Sequence, residues 1–141
     1  MYLDSAYIAK FYVNEHDSPA VRKLIRKADA LVSSAWAQGE VACAFHRHMR
    51  DGSLDQGQFH ELLRAFSEHV EAGLWCLIPV TDGLLRRTVA LVSSAPAGVY
   101  LRAGDAVHLA TALDADAREV WTSDRHMLAA APHFGLTGRT V

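Results

Sequence analysis

The chain has 141 residues, half of them apolar, and a formal net charge of −2 at neutral pH. We expect a single domain over residues 1–141, because this length and apolar content can form a core without disulfides or a structural metal. The negative charge argues against binding of nucleic acid through a global positive field, so a nucleic-acid enzyme would need a local basic patch.

The apolar segments carry no membrane signal. Residues 1–12 are interrupted by Asp4 and Lys10 and lack the basic and apolar regions of a secretory signal. No apolar run approaches the roughly 18 residues that span a bilayer. We therefore expect a cytoplasmic protein with no membrane partner. Cys43 and Cys76 have no Cys-x-x-Cys spacing and are predicted to be reduced residues of the core.

Short apolar segments alternate with helical stretches along the chain, which is typical of an α/β fold with a largely parallel sheet. The residues at helix starts are well suited to capping. Strands are predicted over residues 1–3, 30–33, 74–80 and 119–122. Helices are predicted to start at Ser18 with Pro19, after Ser34 and after Thr81, and at a capping box of Ser53 and Gln56 before a helix running toward Gly73.

Four acidic residues, Asp4, Glu40, Asp105 and Asp124, lie at strand-to-helix junctions or in early helical turns. Singly, the three aspartates could be ordinary helix caps or partners of a helix dipole, and Glu40 could be exposed at a rim. Together they could point into the crevice at the carboxyl edge of the sheet. Converging carboxylates repel unless a cation lies between them, and oxygen ligands suit Mg²⁺ or Mn²⁺. The pattern indicates a metal-dependent enzyme acting on phosphate esters.

The motifs around these acids resemble those of the PIN-domain ribonucleases, and among them the VapC-like toxins of toxin–antitoxin pairs. The resemblance spans essentially the whole chain. The matching segments are residues 3–12 (LDSAYIAKFY), Glu40 within residues 34–47, residues 101–112 (LRAGDAVHLATA), and Thr122-Ser123-Asp124 followed by Leu128 and Gly135-Leu136.

This resemblance implies a PIN-like (Rossmann-like) three-layer α/β/α sandwich with a largely parallel central sheet. It also implies that the four acids carry Mg²⁺, with Mn²⁺ as a substitute, and that Asp4 and Asp105 are the foremost direct ligands. Ser5 and Thr122 would be supporting hydroxyl groups. The implied partners are an RNA substrate, a second copy in a homodimer, and a cognate antitoxin whose tail enters the active-site groove.

The predicted reaction is hydrolysis of an RNA phosphodiester by a metal-activated water, as in an endoribonuclease toxin. The chain has no nucleophile elbow, phosphate-binding glycine loop or His-Glu-x-x-His motif that would indicate another chemistry. The remaining alternative is a catalytically inactive PIN-like scaffold that binds RNA or a partner. A receiver domain would need an acidic pair where Asp4-Ser5 stands, and a dehalogenase-type phosphatase would need a second aspartate at Ala6.

Several other polar residues could contact the site or the substrate. Lys10, Arg102 and Arg125 are nearest in sequence to the acids and are predicted to contact phosphate. His108 and His126 also lie near acids, although a lone histidine there favours a structural role. Two basic clusters could bind RNA. They are Arg22, Lys23, Arg26 and Lys27, and Arg86 with Arg87. His46 and His48 are predicted surface residues.

Overall fold

The computed structural model describes the whole chain, Met1–Val141, as five strands and seven α-helices. All strand pairs are parallel, and the strand order is β3-β2-β1-β4-β5. The α/β prediction is confirmed, and the sheet is entirely rather than largely parallel. The strands are β1 Tyr2–Leu3, β2 Val32–Ser34, β3 Cys76–Ile78, β4 Glu119–Trp121 and β5 Thr137–Arg139.

The helices cover both faces of this sheet and give three layers. Leu3 and Tyr2, which are successive residues of β1, belong to two different hydrophobic cores because neighbouring side chains of a strand point to opposite faces. The first core contains residues of α1 Ser5–Tyr12, α2 Ser18–Ile25, α3 Ala37–Arg50 and α4 Gln56–Glu71. The second contains residues of α5 Asp82–Ser94, α6 Ala103–Asp114, α7 Arg125–Ala130 and the following 3-10 helix Ala131–Phe134.

The helix starts agree only in part with the sequence-based predictions. Thr81 caps α5 as predicted, and its side chain accepts from the Leu84 amide at 3.1 Å. The predicted capping box is wrong by two residues, because Asp55 and Gln58 form it reciprocally and α4 begins at Gln56. An aspartate is at least as good a cap as serine, so the competing carboxylate sets the boundary.

The predictions for the cysteines and for strand number need correction. Cys43 and Cys76 are free, as predicted, but both are exposed. Cys43 lies on the face of α3 that lines a cleft, and Cys76 lies on the edge strand β3. The fifth strand, Thr137–Arg139, was not predicted because Thr-Gly-Arg has no apolar alternation. None of the helices combines the length and the apolar character needed to cross a membrane.

Candidate active site

The four acidic residues line one cleft of about 1060 Å³ at the carboxyl edge of the sheet. Asp4 follows β1 directly, and Asp124 lies three residues after β4, which pairs with β1. Glu40 comes from the first turn of α3, and Asp105 from the first turn of α6. The structure therefore brings together all four acids that the sequence singled out, because parallel strands end at the same edge.

Asp4 is both a helix cap and a wall of the cleft. Its Oδ1 accepts a hydrogen bond from the Tyr7 amide at 2.9 Å, and its Oδ2 accepts one from the Thr122 hydroxyl. The side chain is buried, with the residue only 3% exposed. Burial raises the pKa of Asp4, and the hydrogen bonds from Thr122 and Tyr7 oppose that rise.

Two hydroxyl residues support this part of the cleft. Thr122 is fully buried, donates to Asp4 and accepts from the Asp124 amide at 2.9 Å. It thereby couples the end of β1 to the loop after β4. Ser5 opens α1 and lines the cleft beside Asp4.

Neighbouring groups contact both carboxylate oxygens of Glu40. Its Oε2 lies 2.9 Å from His108 Nε2, and its Oε1 would lie only 2.6 Å from a Cβ atom placed on Gly104. Partial burial works to raise the pKa of Glu40, but the hydrogen bond and charge of His108 outweigh it and leave that pKa below its usual range. Glu40 is therefore an anion at neutral pH, packed closely against the start of α6.

Arg102 joins the other two acids. Its Nε and Nη2 donate to the two oxygens of Asp105, at 2.9 and 3.3 Å, and Nη2 also donates to Oδ2 of Asp124. Asp124 in addition caps α7 by accepting from the His126 and Met127 amides. Desolvation works to raise the pKa of Asp124, but these amide bonds and Arg102 leave it lowered. One guanidinium thus bridges two acids from different helices.

The chemistry of these donors fits a hard divalent cation. All four are carboxylates on one cleft, and two of them already hold a positive group between them. As the side chains stand, no three Asp, Glu, His or Cys groups are close enough together to hold a metal ion. A divalent ion on Asp105 and Asp124 would therefore require the Arg102 side chain, which is 53% exposed, to move aside.

The contacts of the basic residues differ from those expected from the sequence. Lys10 lines the cleft but is buried, and its Nζ donates to Asp17 at 2.6 Å and Ser123 at 2.7 Å. The protein's own acceptors therefore occupy Lys10 Nζ, and the phosphate contact of Lys10 stays a prediction. Arg47 is exposed on the cleft wall and was not predicted to contact substrate. Its spacing of seven residues from Glu40 on α3 is the signal that could have indicated it.

Three arginines of the predicted basic clusters make hydrogen bonds or ion pairs outside the cleft. Arg22 of the first cluster donates to the carbonyls of Phe11 and Val13. In the second cluster Arg86 pairs with Asp82 and Arg87 with Asp114. None of these arginines lines the cleft, so the structure offers Arg47 and Arg102 as the cleft arginines instead.

Some of the aromatic and histidine residues lie at the cleft, and others lie elsewhere on the protein. Trp36 is 45% exposed and lines the cleft one turn before Glu40. His108 is buried and bonded to Glu40, so it belongs to the site more closely than its sequence position suggested. His126 packs against Tyr100, with ring centroids 4.4 Å apart. Of the two predicted surface histidines, His46 is exposed, and His48 is partly buried against Glu15.

Comparison with known proteins gives a consistent set of matches. The family model described as PIN domain matches residues 1–132. Ribonuclease VapC46 of Mycobacterium tuberculosis is 33% identical in an alignment of length 139 that covers 96% of this chain and 93% of that protein.

Two solved structures share the fold. One is Mycobacterium tuberculosis VapC20, described as a Sarcin-Ricin loop cleaving toxin, with a TM-score of 0.71 at 14% identity over 92% of this chain and 93% of that chain. The other is FitAB bound to an IR36 DNA fragment, with a TM-score of 0.67 at 16% identity over 99% of this chain and 93% of that chain. At these identities the likeness concerns the fold alone.

Proposed function

Since the chain belongs to the PIN domain family, we propose that it is a Mg²⁺-dependent endoribonuclease of the VapC toxin type. The observation that carries the proposal is the convergence of Asp4, Glu40, Asp105 and Asp124 on one cleft. The match over most of the length of a protein named as a ribonuclease supports the same activity. We also retain residues 1–141 as a single domain, and the cytoplasmic location expected from the sequence stays a prediction.

In this proposal the four carboxylates hold the metal, and Asp4 and Asp105 are direct ligands. A divalent ion there would supply a water of lowered pKa and neutralise charge on the scissile phosphate. Thr122 fixes the Asp4 carboxylate by donating to its Oδ2, and the two amide bonds at α7 fix Asp124. Ser5 adds a hydroxyl beside Asp4. Arg102, once displaced from Asp105, stays at the rim, where its guanidinium suits an RNA phosphate.

The proposed partners follow from the family and from the cleft. RNA is the substrate, and Trp36 and Arg47 offer an exposed indole and a cation beside the acids for a base and a phosphate. An antitoxin that inhibits the enzyme would insert a basic side chain among the same carboxylates, where Arg102 now lies. We also propose that two copies form a homodimer.

Cleavage of a panel of labelled tRNA, rRNA fragments and mRNA by the purified chain tests the activity. The reactions contain Mg²⁺, Mn²⁺ or a chelator, and include Asp4→Asn and Asp105→Asn. Discrete cuts that need the metal and vanish in both variants are the expected result. Asp29→Asn is the matched control, because it makes the same change at an exposed carboxylate that does not line the cleft.

The alternative function is a PIN-like scaffold that binds RNA or a partner without cutting. It predicts that the affinity for RNA changes neither with divalent ions nor with the Asp105→Asn substitution. Measuring Mn²⁺ binding by isothermal titration calorimetry separates the two functions. Stoichiometric Mn²⁺ binding that Asp105→Asn abolishes counts against the scaffold, since a binding module has no need of a carboxylate cluster.

A further inference from the structure

A buried chain of hydrogen bonds runs from the sheet to the cleft. The Tyr2 hydroxyl lies 3.0 Å from His108 Nδ1, and His108 Nε2 lies 2.9 Å from Glu40 Oε2. The His108 residue is 1% exposed, and Tyr2 is similarly buried. Strand β1, helix α6 and helix α3 each contribute one of these three residues.

The direction of these hydrogen bonds follows from chemistry. The Glu40 carboxylate has no proton to donate, so His108 Nε2 carries the hydrogen of that bond. His108 Nδ1 then faces the Tyr2 hydroxyl, which is both a donor and an acceptor and satisfies the ring in either protonation state. The Tyr2 and His108 rings also meet edge to face, with centroids 6.1 Å apart, which fixes the plane of the imidazole.

This arrangement leaves Glu40 little freedom. Its side chain is 34% exposed, so without a partner it could rotate toward water. The His108 donor holds Oε2, while the backbone of Gly104 closes off space beside Oε1. The carboxylate is thus oriented by a residue whose own ring is fixed by a buried tyrosine.

We propose that His108 is a positioning residue, oriented by Tyr2, that holds the Glu40 carboxylate in the geometry needed for metal binding and RNA cleavage. This inference rests on the proposed function, in which Glu40 belongs to the metal site. His108 itself acts through Glu40 and touches neither the metal nor the RNA. Its replacement therefore reduces kcat and metal affinity while leaving the KM for RNA nearly unchanged.

Two substitutions at position 108 separate the donor from the bulk of the ring. His108→Leu keeps an apolar volume but removes the donor, and we expect kcat to fall by about ten- to a hundredfold, the effect of losing one hydrogen bond to a charged group. His108→Gln retains an N–H at the position of Nε2 and should recover most of that loss. Val107→Ala, at the adjacent buried position of α6, is the control for destabilisation alone.

A double-mutant cycle tests whether His108 acts through Glu40. In a Glu40→Ala background, adding His108→Leu should change Mn²⁺ affinity and cleavage by less than about twofold, because position 40 then carries no acceptor for His108. Additive effects would mean that His108 supports the fold generally and would overturn the proposal. Tyr2→Phe removes only one hydroxyl, keeps the core volume, and should give a smaller loss of about threefold in the same direction.

Mn²⁺ titration tests the positioning role of His108 independently of nuclease activity. A wild-type chain that binds Mn²⁺ but cuts no RNA would refute the proposed function, while weaker Mn²⁺ binding by His108→Leu than by His108→Gln would still support the positioning role. Equal Mn²⁺ affinity and equal kcat in wild type, His108→Leu and His108→Gln would overturn it. A wild-type chain that binds no Mn²⁺ would overturn both.

Discussion

Replacing Gly104 with alanine tests the position of Glu40 directly. The added Cβ would lie 2.6 Å from Glu40 Oε1, about 0.8 Å short of the 3.4 Å at which ordinary contact begins. Glu40 cannot retreat freely, because its other oxygen is bonded to His108. Gly104 lies inside α6 without a positive φ, so alanine suits the backbone there and adds up to about 1 kcal/mol of helix propensity.

The expected result is therefore a folded but impaired enzyme. Displacing Glu40 stretches or breaks a hydrogen bond to a charged group, which costs about 1.5–3 kcal/mol and corresponds to a loss of roughly ten- to a hundredfold in kcat. RNA cleavage at saturating Mg²⁺ and thermal unfolding of the same preparation are the two measurements. Gly98→Ala is the matched control, since its Cβ would meet nothing within 4 Å. Wild-type cleavage by a folded Gly104→Ala variant would refute the placement of Glu40 in the reaction.

Three further changes have defined outcomes. Arg102→Gln should tighten Mn²⁺ binding about fivefold in calorimetry, because the guanidinium no longer competes for Asp105 and Asp124. The interaction of this half-exposed group with the two carboxylates is worth about 1 kcal/mol. Unchanged or weaker Mn²⁺ binding would count against that competition. Asp4→Asn should abolish cleavage yet unfold at a higher temperature than wild type at pH 7. Burial raises the pKa of Asp4 in the folded protein. The stability of the wild type therefore falls as pH rises from the pKa of an unfolded aspartate, about 3.9, through the raised pKa of the folded state. The difference in unfolding temperature between Asp4→Asn and wild type should disappear below about pH 4. Trp36→Leu should raise the KM for RNA about tenfold, and Trp36→Phe should restore it, because stacking on one base is worth about 1–3 kcal/mol; an equal KM in all three proteins would exclude stacking there.

The fold and the grouping of the acids were predictable because both depend on local patterns. Asp4 and Asp124 could be placed at one edge of the sheet because each follows a short apolar run, and parallel strands end together. The almost uncharged run after Asp105 predicted a buried helix, and residues 105–112 of α6 are all buried. Strand β5 escaped prediction because main-chain pairing with β4, rather than side-chain pattern, makes it a strand.

The contacts within the site were not predictable from the sequence. Arg102 reaches Asp124 across 22 positions, and His108 reaches Glu40 across 68. Such pairs depend on how helices pack against the sheet, which periodicity does not specify. The ion pair of Lys10 with Asp17 was likewise not predicted, because nearness in sequence to Asp4 indicated only a phosphate contact for Lys10.

The two hydrophobic cores have a consequence for the order in which the cleft is assembled. Apart from Tyr2, the buried residues of the first core extend up to Trp75 and those of the second begin at Leu84. Asp4 and Glu40 belong to the earlier half of the chain, and Asp105 and Asp124 to the later half. Because synthesis delivers the N-terminal half first, a nascent chain lacks Asp105 and Asp124 until the later half of the chain follows. The metal site proposed for these four acids would therefore be incomplete while only the earlier half of the chain has been made.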